Sequence, residues 1–336
     1  MPVRGPGWDA AGMTLIVTGS IAQDYRMVFS GSFADQLLPE HAEALSLSFL
    51  VDELEIRRGG SGANIAFNLG WLGLGPVLVG SVGTDFGEYD DWLRAHGVDT
   101  GFLHVSTTRR TARYLCTTDN ARKQIASFYS GAMVESRTIE LAPVVDRVGG
   151  TPLVVVAPNV PAAMLHHTSE CRARGYRFAA DPSQQLARLS GEEVRALVDG
   201  AEFLFGNEYE RRLLEHKAGW SPVELARRVS VVVTTLGERG VTVTRGGAEP
   251  TVVRPPKPRT PTDPTGGGDA FRAGFLAGCQ WGLGDERAAQ LGCALAVIAL
   301  ETPGAQEHPT DRGNLLDRLA DAYGAEAAAD VRPFLP

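Results

Sequence analysis

The stretch Asp263-Pro264-Thr265-Gly266-Gly267-Gly268-Asp269 leads directly into an apolar, helix-forming segment that begins at Ala270. Three consecutive glycines remove every side chain from a short turn, so backbone N–H groups can come close to a ligand. A turn of this kind before a helix gathers unpaired N–H donors at the positive end of the helix dipole. The stretch therefore predicts an anion site, and phosphate is its commonest occupant.

Asp269 follows this turn directly, where its negative charge would repel a bound phosphate. The carboxylate makes chemical sense there if it takes a proton from a group that attacks the phosphorus. The alternative is that Asp269 only caps the helix, and for the residue taken alone that interpretation is the stronger one. At a helix N-terminus the pKa of Asp269 is expected to be depressed, so the carboxylate would be ionised at neutral pH.

The composition is that of an ordinary globular chain, with 336 residues, 43% hydrophobic and 21% charged. This length fits two domains or one large α/β domain. A net charge of −8 gives no support to a nucleic-acid partner or an acidic membrane. The only lysines, Lys123, Lys217 and Lys257, lie outside the glycine-rich loops, which excludes a lysine-dependent P-loop.

Cysteine usage and the N-terminal sequence indicate where the protein works. The four cysteines are scattered without metal-type spacing, and no basic, apolar leader is present, so we expect a reduced, cytoplasmic protein. No apolar run is long enough to cross a bilayer. Residues 1–12, rich in glycine and proline, predict a disordered extension, with Met13 as an alternative start. The pair His166-His167 is interpreted as surface.

Short apolar runs alternate with helical segments along most of the chain, which predicts an α/β fold with a mostly parallel central sheet flanked by helices. Ligands of such sheets collect beyond the carboxyl ends of the strands. Ser20 and Asp24 follow the first run and would lie there, although Asp24 as a plain turn residue is at least as good an interpretation. The runs are 15–18, 77–79, 102–105, 153–157, 178–180, 203–205 and 231–234.

Two β-rich patches, about 26–57 and 109–130, interrupt this alternation. The first includes the strand-like runs Phe49-Leu50-Val51 and Leu54-Glu55-Ile56. We interpret the two patches as insertions that form one small sheet, a lid over the ligand edge of the main sheet. Residues 13–336, which include these two patches, are expected to form one domain.

Two further polar clusters follow predicted strands. The segment Asn207-Glu208-Tyr209-Glu210 could hold a hydrated Mg²⁺ ion, since Mg²⁺ favours a few oxygen ligands and keeps most of its waters. Taken alone, a helix start with acidic residues is the better interpretation. Thr235 and Gly237 suit contact with a nucleotide phosphate but are also ordinary turn residues.

The run Gly59-Gly60-Ser61-Gly62-Ala63-Asn64, together with 263–269, resembles the two signature motifs of the PfkB, or ribokinase-like, family of small-molecule kinases. The order of the motifs and the intervening Asn207-x-x-Glu210 also match, and the resemblance covers residues 13 to 336. It implies a doubly wound α/β core with a small β-sheet lid, ATP as phosphoryl donor and Mg²⁺ as cofactor.

By this resemblance Asp269 is the base that deprotonates an acceptor alcohol, and Gly266, Gly267 and Gly268 form the anion hole. The middle position of that turn is often alanine in the family, and Gly267 keeps the N–H while adding flexibility. The remaining implied roles concern the metal and the nucleotide. Asn207 and Glu210 would organise the hydrated metal, and the ATP-binding residues would be Asn207, Thr235, Gly237 and Gly268.

Four segments, 36–41, 46–51, 124–129 and 181–190, resemble the actinobacterial branch of adenosine kinases, which implies adenosine as acceptor, AMP as product and a role in purine salvage. The position of Tyr114 is usually phenylalanine in that branch, so an added hydroxyl would alter base preference. The implied acceptor residues are Ser20, Asp24, Gly60 and Asn64 around the ribose, and Ser48, Tyr114, Phe128 and Gln185 nearer the base.

Alternatives to adenosine remain open at this point. A sugar kinase of the same family would act on ribose or a hexose, and Phe49, Tyr114 and Phe128 would then be the lid's own core. A catalytically silent nucleoside or sugar sensor is the third alternative, and the intact catalytic motifs count against it. The resemblance also implies a homodimer that pairs through the lid sheets and a K⁺ site near Asp263, Thr265 and 299–304.

Overall fold

The computed structural model describes residues 14–36, 48–260, 263–308 and 311–336. The predicted extension 1–12, Met13 and most of the segment 36–41 lie outside these residues. The strands are β1 (Leu15–Thr18), β2 (Ala22–Val28), β3 (Glu53–Gly59), β4 (Val77–Gly83), β5 (Asp99–Ser106), β6 (Ala112–Thr118), β7 (Gln124–Tyr129), β8 (Leu153–Val156), β9 (Arg177–Ala180), β10 (Phe203–Asn207), β11 (Val231–Thr235), β12 (Val241–Arg245) and β13 (Thr251–Val253).

Helices alternate with most of these strands. They are α1 (Phe33–Gln36), α2 (Ser61–Trp71), α3 (Gly87–Ala95), α4 (Ala142–Val148), α5 (Pro161–Arg174), α6 (Gly191–Val198), α7 (Glu208–Ala218), α8 (Pro222–Arg228), α9 (Gly267–Gln280), α10 (Asp285–Leu300), α11 (Arg312–Tyr323) and α12 (Ala325–Val331). In the part of the chain that the structure describes, no helix is long and apolar enough to span a membrane.

The main sheet has the strand order β13-β12-β11-β10-β9-β8-β1-β4-β5 among the described residues. All neighbours from β11 to β5 are parallel. Because β1 lies inside the sheet, with β4 on one side and β8 on the other, the chain winds outward in both directions. The predicted doubly wound, mostly parallel sheet is confirmed, and its switch point beside β1 is where such sheets bind ligands.

Helices cover both faces of this sheet, and alternate residues of each strand enter different layers of the core. Leu15 and Val17 pack in one layer with Phe275 of α9, whereas Ile16 and Val154 pack in the other layer. Every residue of β1 and β8 is buried, which is why these strands read as unbroken apolar runs.

Two strands of the main sheet were not predicted from the sequence. β12 pairs antiparallel with β11, and β13 pairs antiparallel with β12 at the edge of the sheet. β12 alternates buried and half-buried residues, and β13 has only three residues. Neither forms the continuous apolar run that marks the buried parallel strands.

A second, four-stranded sheet has the order β3-β2-β6-β7. β2 pairs antiparallel with β3 and parallel with β6, and β6 pairs antiparallel with β7. This small sheet begins at Ala22, a few residues before the predicted first patch. The predicted strand at 49–51 is wrong, because those residues are coil and Phe49 packs against Phe29 and Phe33 at ring distances of 5.1 and 4.9 Å.

The interpretation of His167 as a surface residue is also wrong. His167 of α5 is buried, with Nδ1 2.8 Å from Thr18 Oγ1 and Nε2 3.1 Å from the carbonyl oxygen of Ile139. Burial lowers the pKa of His167 to about 4. The side chain therefore serves as a neutral link between α5 and β1.

Candidate active site

The glycine turn closes against the rest of the molecule because it carries no side chains. Gly266 occupies the cap position of α9 with φ of 80°, and a Cβ there would lie 2.5 Å from Cβ of Ala305. α9 starts at Gly267, three residues before the predicted start, and its first hydrogen bond runs from Ala270 N to Gly266 O at 2.9 Å. The N–H groups of Gly268 and Asp269 precede that bond and are available to an anion.

Gly60 makes a similar close approach at the start of α2. Its φ is 93°, and a Cβ there would lie 2.6 Å from the carbonyl oxygen of Ser20. The hydroxyl of Ser20 accepts a hydrogen bond from Ser61 N at 3.0 Å. These contacts place Asn64, one turn into α2, beside the glycine turn.

A chain of buried polar groups holds the carboxylate of Asp269. Asn64 Nδ2 donates to Asp269 Oδ2 at 2.8 Å, and Gln306 Nε2 donates to Asn64 Oδ1 at 2.9 Å. Gln306 Nε2 also donates to the hydroxyl of Tyr89 at 2.5 Å, which donates to the carbonyl oxygen of Gly59 at 2.9 Å. Tyr89 and Gln306 were not identified from the sequence. They fix the amide of Asn64 with its N–H₂ toward Asp269.

The expectation of a depressed pKa for Asp269 is wrong. Asp269 lies in the first turn of α9 and is not its cap. Burial raises its pKa above the ordinary value, Arg272 and the hydrogen bond from Asn64 oppose that shift, and Asp24 adds to it. A desolvated carboxylate with a raised pKa is a stronger base than an exposed one, which suits proton abstraction.

A small cavity of about 240 Å³ lies on one side of the glycine turn. Its lining is strongly polar and includes most of the predicted nucleotide and metal residues. It is lined by Ser183, Asn207, Glu210, Thr235, Gly266, Gly268, Asp269 and Arg272. Gly237 is absent from this lining and begins a short 3₁₀ turn with φ of 62°.

Asn207 and Glu210 form a reciprocal cap at the start of α7. Asn207 Oδ1 accepts from Glu210 N at 2.8 Å, and Glu210 Oε2 accepts from Asn207 N at 2.7 Å. Glu210 Oε1 also accepts from Ser183 Oγ at 3.3 Å. The helix-start interpretation therefore describes their contacts correctly, while both side chains still face the small cavity.

Arg272 adds a positive charge to this cavity that sequence reasoning missed. It is 8% exposed, and its guanidinium pairs with the buried Asp181 at 2.5 and 2.8 Å. A Cβ on Gly268 would lie 2.9 Å from Arg272 Nη1, so the guanidinium is directly beside the turn. The sequence feature that could have identified Arg272 is its position three residues after Asp269, which puts both side chains on one face of α9.

A larger cavity of about 730 Å³ lies on the other side of the turn, between the small sheet and the main sheet. It contains the residues predicted to surround the acceptor, with one exception. Ser48 is exposed and does not line it. The predicted residues that do line it are Ser20, Asp24, Gly60, Asn64, Tyr114, Phe128 and Gln185, together with Gly266 and Asp269.

Strand register places Asp24, Tyr114 and Phe128 in one row across the small sheet. Asp24 of β2 is paired with Tyr114 of β6, and Tyr114 is paired with Phe128 of β7. The row runs from a carboxylate to two aromatic rings and spans roughly 10 Å, two strand spacings. Burial raises the pKa of Asp24 to about 6, although Arg26 opposes the shift.

Two residues that line this cavity each carry a buried side-chain atom without a hydrogen-bond partner within the described residues. The two atoms are Gln185 Oε1, an acceptor, and Asn159 Nδ2, a donor. Asn159 is 2% exposed, and its Oδ1 accepts from Val160 N at 2.8 Å. Burying an amide atom without a partner is costly, so these two side chains are candidates for hydrogen bonds to a ligand in this cavity.

The two cavities meet at the glycine turn, where both are lined by Gly266 and Asp269. One cavity presents backbone donors, a guanidinium and a magnesium-type oxygen set. The other presents a carboxylate, aromatic rings and amides. A group bound in one cavity could reach a group bound in the other only beside Asp269, which is the arrangement that a phosphoryl transfer between two bound molecules requires.

Comparison with known proteins agrees with this geometry. Residues 27–312 match the model of the pfkB family carbohydrate kinases. A nucleoside kinase of Methanothermobacter thermautotrophicus is 28% identical over 271 residues, covering 80% of this chain and 86% of that protein. The chain therefore belongs to the PfkB family, and it is a kinase.

A solved structure extends the comparison across almost the whole chain. The nucleoside kinase of Burkholderia thailandensis in complex with inosine has a TM-score of 0.80 and 32% identity, covering 93% of this chain and 98% of that one. The same kinase in complex with ADP-inosine has a TM-score of 0.78 and 31% identity, covering 93% and 96%.

Proposed function

We propose that this protein transfers the γ-phosphoryl group of ATP to the 5′-hydroxyl of a purine nucleoside, with adenosine, giving AMP in purine salvage, as the first candidate. The observation that carries the proposal is the pair of cavities that share Gly266 and Asp269. ATP would occupy the small cavity and the nucleoside the large one. The Burkholderia thailandensis kinase was solved in complex with ADP-inosine, which supports a site for both a nucleotide and a nucleoside.

The row of Asp24, Tyr114 and Phe128 favours a nucleoside over a free sugar. A ribose beside Asp24 would leave its base over the two aromatic rings, about 5 to 10 Å further along the row. A free sugar has no base, so no part of the ligand would pack against those two rings. Ser20, Gly60 and Asn64 would bind the ribose with Asp24, and Gln185 would bind the base.

The chemistry follows from the groups around the turn. Asp269 would accept the proton of the 5′-hydroxyl as that oxygen attacks the γ-phosphorus. The bond between the γ-phosphorus and the β-phosphate oxygen would break, and ADP would leave. The N–H groups of Gly268 and Asp269 and the guanidinium of Arg272 would stabilise the charge on the transferred group. The N–H of Gly267, also predicted for the anion hole, is directed to the carbonyl oxygen of Pro264 at 3.5 Å. The role of Arg272 is an addition from the structure.

Mg²⁺ fits the oxygen atoms of the small cavity. No cluster of three or more acidic, histidine or cysteine ligands occurs within the described residues. Asn207 and Glu210 use part of their oxygen capacity in the helix cap, so they would hold the ion through its waters while ATP phosphates provide direct ligands. Bound Mg²⁺ would neutralise phosphate charge. Thr235 and Gly237 would approach the nucleotide.

The assembly and the location are also proposals. The face of the small sheet opposite the large cavity exposes Leu54, Ile56 and Ile125 by 58%, 53% and 45%. An apolar sheet face of this kind is covered most simply by the same face of a second copy, which supports a homodimer through the small sheets. The four buried, unbridged cysteines support a cytoplasmic location.

The test is ATP–Mg²⁺ turnover against adenosine, inosine, guanosine, ribose and fructose, measured as ADP release. We expect the highest kcat/KM for a purine nucleoside. Adenosine and inosine both offer a donor and an acceptor to Gln185 Oε1 and Asn159 Nδ2. A preference for a free sugar would be consistent with Asp269 as the base but would contradict a nucleoside as the acceptor. Binding of nucleosides without turnover would favour a sensor.

A further inference from the structure

Arg26 links the small sheet to the catalytic turn. It lies on β2, and its Nη1 is 2.5 Å from Oδ2 of Asp263, the first residue of the glycine-turn motif. Its Nη2 donates to Thr265 Oγ1 at 2.7 Å. The two partners are 237 and 239 residues away along the chain, so this contact exists only in the folded protein.

The carboxylate of Asp263 has further donors. Oδ1 accepts from Thr265 N at 2.9 Å, and Oδ2 accepts from Gly304 N at 3.2 Å in addition to Arg26. Asp263 is 8% exposed. Two backbone N–H groups and the positively charged guanidinium of Arg26 therefore already satisfy this carboxylate from within the chain.

These contacts do not fit the K⁺ site that the family resemblance implies at Asp263, Thr265 and 299–304. Oδ2 of Asp263 is bound to the guanidinium of Arg26, Oδ1 accepts from Thr265 N, and the hydroxyl of Thr265 accepts from the same guanidinium. A K⁺ ion next to Arg26 would be repelled by the guanidinium. The carboxylate of Asp263, which would otherwise attract the ion, is already neutralised by Arg26.

We infer that Arg26 is a built-in cation: it neutralises Asp263 and orders the glycine turn, so the enzyme works without a bound monovalent cation. Arg26 is a positioning residue, because it acts on Asp269 through the turn. This inference rests on the proposed kinase function for its activity readout. Asp24 and Arg26 lie on the same face of β2, so the contact also fixes the acceptor wall relative to Asp269.

The experiment compares the native protein with Arg26→Met and Arg26→Lys at constant Mg²⁺, in KCl or in tetramethylammonium chloride of equal ionic strength. Arg227→Met, an exposed arginine on α8, is the matched control. Turnover with the best nucleoside and the thermal midpoint without substrates are both measured. The thermal midpoint tests the inference even if no nucleoside is phosphorylated, whereas a native protein without turnover in either salt tests the proposed function alone.

For the native protein and Arg227→Met, we expect kcat within about twofold between the two salts and no K⁺-dependent shift of the thermal midpoint. Arg26→Met should lose about tenfold or more in kcat in tetramethylammonium, because it leaves Asp263 without its partner. K⁺ should restore part of that loss and raise its thermal midpoint, and Arg26→Lys should remain K⁺-independent.

Three results would overturn the inference. The first is activation of the native protein by K⁺ by fivefold or more, or a K⁺-dependent rise in its thermal midpoint. The second is full activity of Arg26→Met without K⁺. The third is failure of K⁺ to improve Arg26→Met over tetramethylammonium, which would show that the turn does not need a cation at Asp263.

Discussion

At the scale of single residues, the position of Asp269 depends on Gln306 and Tyr89, two residues that line neither cavity. Asn64 is the only side chain in the described residues for which a hydrogen bond to the Asp269 carboxylate is seen, and Gln306 and Tyr89 orient its amide. An amide has two orientations of similar shape, and only one offers N–H₂ to the carboxylate. Gln306 selects that orientation by donating to Asn64 Oδ1.

Gln306→Ala should lower kcat about tenfold and leave the nucleoside KM within about threefold. Without the donor, the amide of Asn64 is free to turn, and a misplaced base slows the transfer step more than it weakens binding. Steady-state kinetics with ATP in excess measure both parameters. Gln124→Ala, at an exposed position at the start of β7, is the control. An unchanged kcat for Gln306→Ala would contradict the positioning role.

The kcat/KM for the nucleoside should fall below about pH 6. Asp24 must be ionised to accept hydrogen bonds from ribose hydroxyls, and burial raises its pKa to about 6, so this capacity is lost as the pH falls through that value. An exposed aspartate would keep its charge to a pH about 2 units lower. Initial rates from pH 4.5 to 8 measure the effect. Asp24→Asn should reduce the acid limb without abolishing it, because Asp269, whose pKa is also raised, must still be ionised. A flat native profile down to pH 4.5 would argue against the role of Asp24.

At the scale of secondary-structure elements, the sequence predicted what local patterns determine. Unbroken apolar runs marked β1, β8, β10 and β11, and the glycine motifs marked the starts of α2 and α9. β12 and β13 carry no such run. The strand expected at 49–51 failed because Phe49 joins an aromatic cluster with Phe29 and Phe33, a tertiary contact that overrides local strand preference.

The residues of the candidate site also fall into two groups, those that local sequence patterns predicted and those that they did not. Residues inside the two motifs were found from the sequence, because each motif is contiguous. Arg26, Tyr89 and Gln306 could not be found, since their partners lie far away in the chain and ordinary flanking sequence surrounds them. The sign of the Asp269 pKa shift also required the fold, because burial outweighs the helix N-terminus.

The contact between α5 and β1 should make folding stability depend on pH. Burial lowers the pKa of His167 from 6.5 to about 4, so its contribution is complete above about pH 6.5 and is lost as the pH falls toward 4. Between pH 7.5 and 5 the linked loss is about 2 kcal/mol in the free energy of unfolding. Urea unfolding of the native protein and of His167→Gln measures the difference. Identical pH dependence in the two proteins would contradict this link.

At the scale of the whole molecule, the doubly wound sheet supplies the switch point and the small sheet supplies the second wall of the large cavity. Neither sheet alone holds a complete acceptor site, since Asn64 and Gln185 come from the main domain and Asp24, Tyr114 and Phe128 come from the small sheet. The outer face of the small sheet remains exposed and apolar.

Ile56→Lys should convert the proposed homodimer into a monomer. A lysine on the outer face of β3 would meet a desolvation cost when the two sheets pack together, and the cavity face would not change. Light scattering after size-exclusion chromatography measures the mass. Val223→Lys, at an exposed position on α8, is the control. A native protein that is monomeric at all tested concentrations would reject the dimer.

The most direct test of the central claim is the identity and amount of product formed from adenosine and ATP–Mg²⁺ by the native protein and by Asp269→Asn. We predict that the native protein forms AMP phosphorylated at the 5′ position in equal amounts with ADP. Asp269→Asn should form less than about a thousandth as much, because the base is lost, while ATP affinity stays within about threefold. Native-like turnover by Asp269→Asn, or ADP released without a phosphorylated nucleoside, would contradict the account.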